Sequence, residues 1–194
     1  MRVKSRWHNK AKTRTPQELG STLAFIAWRI GMNAVKNMQK EGFDFPSYAV
    51  QLQVMEEFLP FLIQVVDRLV YERMDEETRR NLVTALALHL VDTMVENQVD
   101  LLGPGEYRGP LIERLNARLD DYAAFSFNGE EPGYHFLRYL GERVDAVLAK
   151  EGNRWVIEHI VDIEAPEAVK TMRKALRDVS GQGAAAALAK ETGE

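Results

Sequence analysis

The stretch from Ser47 to Arg73 constrains the fold of this chain more than any other. Met55, Phe58, Leu59, Leu62, Val66, Leu69 and Val70 recur at three- and four-residue steps, the spacing of one face of an α-helix. Val54, Phe61, Ile63 and Val65 widen that face well past a narrow seam. Gln53, Glu56, Glu57, Gln64, Asp67 and Arg68 fall together on the remaining side, and Pro60 lies with them, where a local kink costs no core packing. So broad an apolar surface needs several covering neighbours. The stretch 47–73 is therefore predicted to be the central helix of an all-α domain, with Glu56 and Glu57 solvated on its polar side.

The rest of the chain reads as the covering helices. Thr15-Pro16-Gln17-Glu18 carries a capping residue, a proline suited to the first helical position and the acid that completes a capping box. The first helix is predicted from Pro16 to about Lys40, stopping at Gly42. Leu19, Leu23, Ile26, Ile30 and Ala34 line one side of it, and Phe25, Trp28, Met32 and Val35 nearly the opposite one. A helix apolar on two sides is either central to its domain or shared with a second subunit. With the central position taken by 47–73, a homodimer through helix 16–40 is expected, with Gly31 allowing another backbone to approach closely.

Ser47 is a plausible cap for the second helix, and Asp75 caps a third from about Glu76 to Leu102, with Glu76 and Glu77 at its positive end. Pro110 is predicted to start a fourth helix, and Asn128-Gly129-Glu130-Glu131-Pro132-Gly133 is the clearest break. A fifth helix follows to about Lys150. Asn153 is predicted to cap a sixth, Arg154 to Ile163, and Pro166 to start a seventh that closes at Ser180-Gly181. No segment alternates as a strand does. The expected architecture is a single bundle of six to seven helices over 15–180, flanked by a basic arm, 1–14, and a loose Ala/Gly-rich tail, 181–194.

Charge is distributed unevenly. Arg2, Lys4, Arg6, Lys10, Lys12 and Arg14 give the arm six cations and no acid, whereas the whole chain is net −4. A basic arm on an acidic body suits contact with an acidic partner, including weak binding to a nucleic-acid backbone, although the body itself repels phosphates. The arm has no apolar core region, so no secretory signal is expected, and the cytoplasm is the expected compartment. No stretch reaches the roughly 18 uncharged apolar residues of a membrane span. The absence of cysteine excludes disulfides, thiolate metal sites and cysteine nucleophiles in this chain.

Candidate chemistry is sparse. His89, Asp92, Thr93, Glu96 and Asp100 share about a third of the third helix's circumference at 100° per residue. With His135 and His159 on other helices, His89, Asp92 and Glu96 form a candidate metal set of nitrogen and oxygen ligands. Against it, no Glu-x-x-His or His-Glu-x-x-His occurs, and an amphipathic helix shows water just such a polar stripe. Met32, Met55, Met94, Phe25, Phe58 and Phe61 offer lining for a small apolar ligand, or simply a core. Arg29, alone in the apolar middle of the first helix, is a candidate ligand anchor unless its head reaches water. Phosphate-binding loops, serine elbows and helix-turn-helix signatures are absent. These readings favour a non-enzymatic, homo-oligomeric interaction protein without a cofactor. The alternative is a helical-bundle enzyme or sensor holding a metal or apolar ligand between helices.

Overall fold

The local signals at helix starts operate as the sequence dictates. In the computed structural model, which describes residues 14–191 and side chains as far as residue 179, α1 spans Pro16–Lys40. The Thr15 hydroxyl accepts from the Glu18 amide at 3.2 Å, and the Glu18 carboxylate accepts from the Thr15 amide at 2.9 Å, closing the capping box. Ser47 caps α2, Tyr48–Val70, through the Val50 amide, and Asp75 caps α3, Glu76–Leu102, through the Thr78 amide. Then come α4, Arg108–Ala123, and α5, Tyr134–Leu148. The fold is an all-α bundle.

The α2 helix is the core. It packs against α1, α3, α4, α5 and α7, and its interior residues from Leu52 to Val70 are almost continuously buried. By length and composition α2 would cross a membrane, yet 72% of its most apolar window is buried inside the protein. Phe61 sits in an aromatic cluster with Phe58, Tyr122 and Phe136. Met55, Met94, Phe58 and Phe61 are fully buried and fill this core rather than line an open pocket.

Two expectations about α2 are overturned. Pro60 is buried, and Glu57 is only 7% exposed. The polar side of the helix is not a solvated face, because α4 lies across it and supplies partners for the polar groups.

Within the chain α1 packs against α3, α7 and α2. On one apolar side Leu19, Leu23, Ile30 and Ala34 are buried and Ile26 partly so; on the other Trp28 and Val35 are buried and Phe25 and Met32 partly so. Much of the apolar surface of α1 is thus buried by other parts of the same chain. Close backbone approach occurs at Gly20 rather than Gly31: a Cβ on Gly20 would lie 2.6 Å from the Leu82 carbonyl oxygen and 2.9 Å from the Leu86 nitrogen of α3. Gly31 faces side chains of α2, the thioether of Met55 and, at 3.6 Å, the Phe58 Cβ.

Beyond α4 the chain departs further from the predicted pattern. The break at 128–133 forms a two-residue antiparallel ladder, β1, Phe127–Asn128, with β2, Glu131–Pro132; Gly129 takes φ +61° at its tip. Asn153 caps no helix. Its amide donates to the carbonyls of Asp44 and Leu148 and accepts from the Asp44 amide, stapling two loops. Pro166 starts no separate helix either. Instead α6, Val156–His159, a π-helical turn, Ile160–Glu164, and α7, Ala165–Glu191, form one continuous rod. The wide turn lies where the proline ring would otherwise meet a carbonyl one turn back.

Candidate functional site

The metal candidates do not converge. His89 and His135 are exposed on α3 and α5, while His159 packs its ring 4.9 Å from that of Phe43 and lies 3.3 Å, Nε2 to Oε1, from Glu164. Asp92 forms an ion pair with Arg108 at 2.5 Å, and Glu96 is exposed. Among the described residues no three His, Asp or Glu side chains come together as a metal would require. Arg29 is no buried anchor: it is exposed, with its guanidinium 5.8 Å from the Phe25 ring centre. Arg2, Lys4, Arg6, Lys10 and Lys12 lie outside the described residues, and Arg14 is partly buried at the start of α1.

Three polar constellations that were not legible in the sequence join elements distant along the chain or across the π-helical turn. The first joins α2 to its neighbours. Arg118 Nε and Nη2 donate to the two carboxylate oxygens of Glu57 at 2.8 and 3.1 Å, Arg114 reaches Glu56 at 2.9 Å, and Gln98 of α3 donates to Glu56 at 2.6 Å. Burial raises the Glu56 pKa, against the lowering effect of Arg114. The hydrogen bond to Glu57 raises that of Arg118. Beside them Tyr139 donates to Asp121, and burial with that bond pushes the phenol up to about 12. These carboxylates are engaged by guanidinium and amide donors, which suits holding α2 to α4 rather than proton transfer. Arg108, Arg114 and Arg118 of α4 are thereby all neutralised, leaving no basic face there.

In the second, Arg73, Arg173 and Arg177 surround Glu130 at the tip of the β1–β2 hairpin, and Arg173 also reaches Glu131 at 2.6 Å. Burial pushes the Glu130 carboxyl up, but the bonds from Arg177 and Arg73 prevail and lower it. The third is His159 with Glu164, at the two ends of the π-helical turn. Burial raises the Glu164 pKa, opposed by its bonds to His159 and Asn37.

Two surface recesses among the described residues are charged and do not suit a small apolar ligand. One, about 280 Å³, lies between α2, α3 and α4, and Asp67, Glu76, Arg79 and Arg80 make it charged, with Asp67 and Arg79 paired at 3.0 Å. The other, about 340 Å³, is lined by Val95, Glu96, Val99 and Asp100 on the outer side of α3.

That outer side of α3 is the strongest candidate site. Leu88 is 50% exposed, Val99 39% and Leu102 42%, and Val95 between them is partly buried. They follow one another at steps of seven, four and three residues, a heptad seam. Its signal is present in the sequence but overlaps the polar stripe: Asp92 falls within the seam, and His89, Glu96 and Asp100 form one edge of it. No family model, curated protein or solved structure matches this chain.

Proposed function

We propose that this chain is a non-enzymatic, homo-oligomeric interaction protein. The observation that supports this reading is on the outer side of α3, where Leu88, Val99 and Leu102 are exposed and Val95 between them is partly buried. Scattered single hydrophobic residues on a surface need no explanation, but Val95, Val99 and Leu102 follow one another at steps of four and three, the spacing that another helix covers, with Leu88 beyond Asp92. The polar clusters point the same way. The carboxylates on α2 and on the hairpin are engaged by arginines, so they serve packing rather than acid–base chemistry. The basic arm is an accessory contact for an acidic partner on this reading.

Native mass spectrometry of untagged protein, purified without chelator, tests the proposal. A dimer or higher oligomer with no retained extra mass is the expected result. A monodisperse monomer at micromolar concentration would overturn it, and a retained metal or organic mass would favour the ligand-binding alternative.

A further inference from the structure

We propose that Arg73, Arg173 and Arg177 form a binding site for a phosphate group, and that Glu130 at the hairpin tip is the site's built-in competitor. Such a site is independent of homo-oligomeric assembly.

The three guanidiniums come from distant parts of the chain. Arg73 lies in the turn that follows α2, and Arg173 and Arg177 stand one turn apart on α7. Three cations gathered in this way repel one another unless an anion lies between them. In the closed hairpin that anion is Glu130, in the two-residue loop Gly129–Glu130 between β1 and β2. Its Oε1 accepts from Arg73, and its Oε2 accepts from Arg177 at 2.6 Å. Arg173 is left 3.6 Å from Oε2 and reaches Glu131 instead, at 2.6 Å.

A carboxylate therefore fits this cradle incompletely. It brings two oxygens in one plane and a single charge to three guanidiniums. A phosphate monoester presents three oxygens and about −1.5 to −2 charges at pH 7. Each arginine can then take an oxygen of its own through a charge-assisted bond. Even with Glu130 and Glu131 both in place, the arginines outnumber the carboxylates, and the surplus positive charge draws an anion.

Glu130 is also weakly held. Its side chain is 29% exposed and that of Arg177 59%, so water screens the pair. The ladder behind the tip is only two residue pairs long. Phe127 packs its ring 5.4 Å from that of Phe136, which anchors the base of the hairpin while the tip gives way.

NMR titration of the full chain at constant ionic strength tests the site. Inorganic phosphate and phenyl phosphate are added separately, each in place of chloride. The amides of Gly129, Glu130 and Glu131 and the Nε–H signals of the three arginines are expected to shift saturably. Glu130→Gln removes the competitor and should tighten binding roughly tenfold. Glu167→Gln removes the same charge from α7 at a residue paired with Lys170, away from the cluster, and should leave the affinity unchanged. Arg173→Gln should weaken binding. Saturation by either probe supports the site, and saturation by phenyl phosphate alone assigns it to a phosphomonoester. No saturable shift in the natural chain would overturn the proposal, whatever the variants do. Equal tightening by Glu130→Gln and Glu167→Gln would reduce the effect to net charge and overturn it too, as would undiminished binding by Arg173→Gln.

Discussion

Arg118 holds Glu57 across the α2–α4 contact with two hydrogen bonds, at 2.8 and 3.1 Å, and the carboxylate is almost entirely out of water. Such a fork matches the guanidinium plane to both carboxylate oxygens, so neither is left unsatisfied. Its net worth is small beside the cost of breaking it, because either partner alone is a buried charge. Arg118→Ala should therefore destabilise the protein by about 3 kcal/mol. Replacing both residues by methionine should cost clearly less than Arg118→Ala alone. Urea denaturation of the two variants checks this, and equal losses would show that the pair matters by volume rather than by charge.

Glycine separates two kinds of close contact. A Cβ on Gly20 meets backbone atoms of α3, Leu82 O at 2.6 Å and Leu86 N at 2.9 Å, which move only if the helix moves. A Cβ on Gly31 meets the sulfur and methyl of Met55, at 2.9 and 3.1 Å, and that side chain rotates readily. Alanine gains roughly 1 kcal/mol over glycine in a helix at either position. Overpacking typically costs about 1–3 kcal/mol. Gly20→Ala should be net destabilising and Gly31→Ala close to neutral. Thermal unfolding of both variants gives the comparison.

The carboxyl of Glu164 gives a pH signature. Its pKa is raised from the ordinary 4.5, chiefly by burial, so the folded state holds this proton to higher pH than the unfolded chain does. Stability from this group is therefore fully present below about pH 4.5 and is lost as pH rises toward the folded pKa. Glu164→Gln keeps a hydrogen-bonding group near His159 and Asn37 but has no proton to lose. The melting temperature of Glu164→Gln relative to the natural chain should rise with pH across that window and then level off. Glu56, also raised, is present in both proteins and drops out of the difference. A difference independent of pH would show that Glu164 carries no shifted proton.

What the sequence disclosed followed the range of each interaction. Capping at Thr15, Ser47 and Asp75 depends on groups three residues apart, so the starts of α1, α2 and α3 were legible. The partners of Glu56 and Glu57 lie on α4, and the Glu57–Arg118 pair spans 61 residues; periodicity marks such carboxylates as polar but not as covered. Likewise the packing of α7 on α1 joins segments more than a hundred residues apart and leaves no local mark in either. On α3 Leu88, Val95, Val99 and Leu102 share one side of the helix with the polar stripe of His89, Asp92, Glu96 and Asp100, so neither pattern stands clear of the other in the sequence. Proline lacks an amide hydrogen, so Pro166 marks a helix start in the sequence; a π-helical turn that carries the rod through it leaves no mark in residue types.

Trp155 presents the last test. It stands at the start of α6 with φ +62°, a left-handed backbone that a bulky residue rarely adopts, and its side chain is 75% exposed. The strain is held by its surroundings: Asn153 pins the loop just before it, and its own carbonyl accepts the first helical bond, from the His159 amide at 3.0 Å. Removing a tryptophan from a core costs about 3–5 kcal/mol, but this one has little packing to lose. Glycine adopts left-handed φ without strain, at an entropic cost in the unfolded chain. Trp155→Gly should therefore be neutral or stabilise by up to about 1 kcal/mol. Trp155→Val should destabilise, because a β-branched residue is worse there than the native indole. Denaturant midpoints of the two variants decide it, and a glycine variant less stable than the valine one would show that the indole, not the backbone, governs this turn.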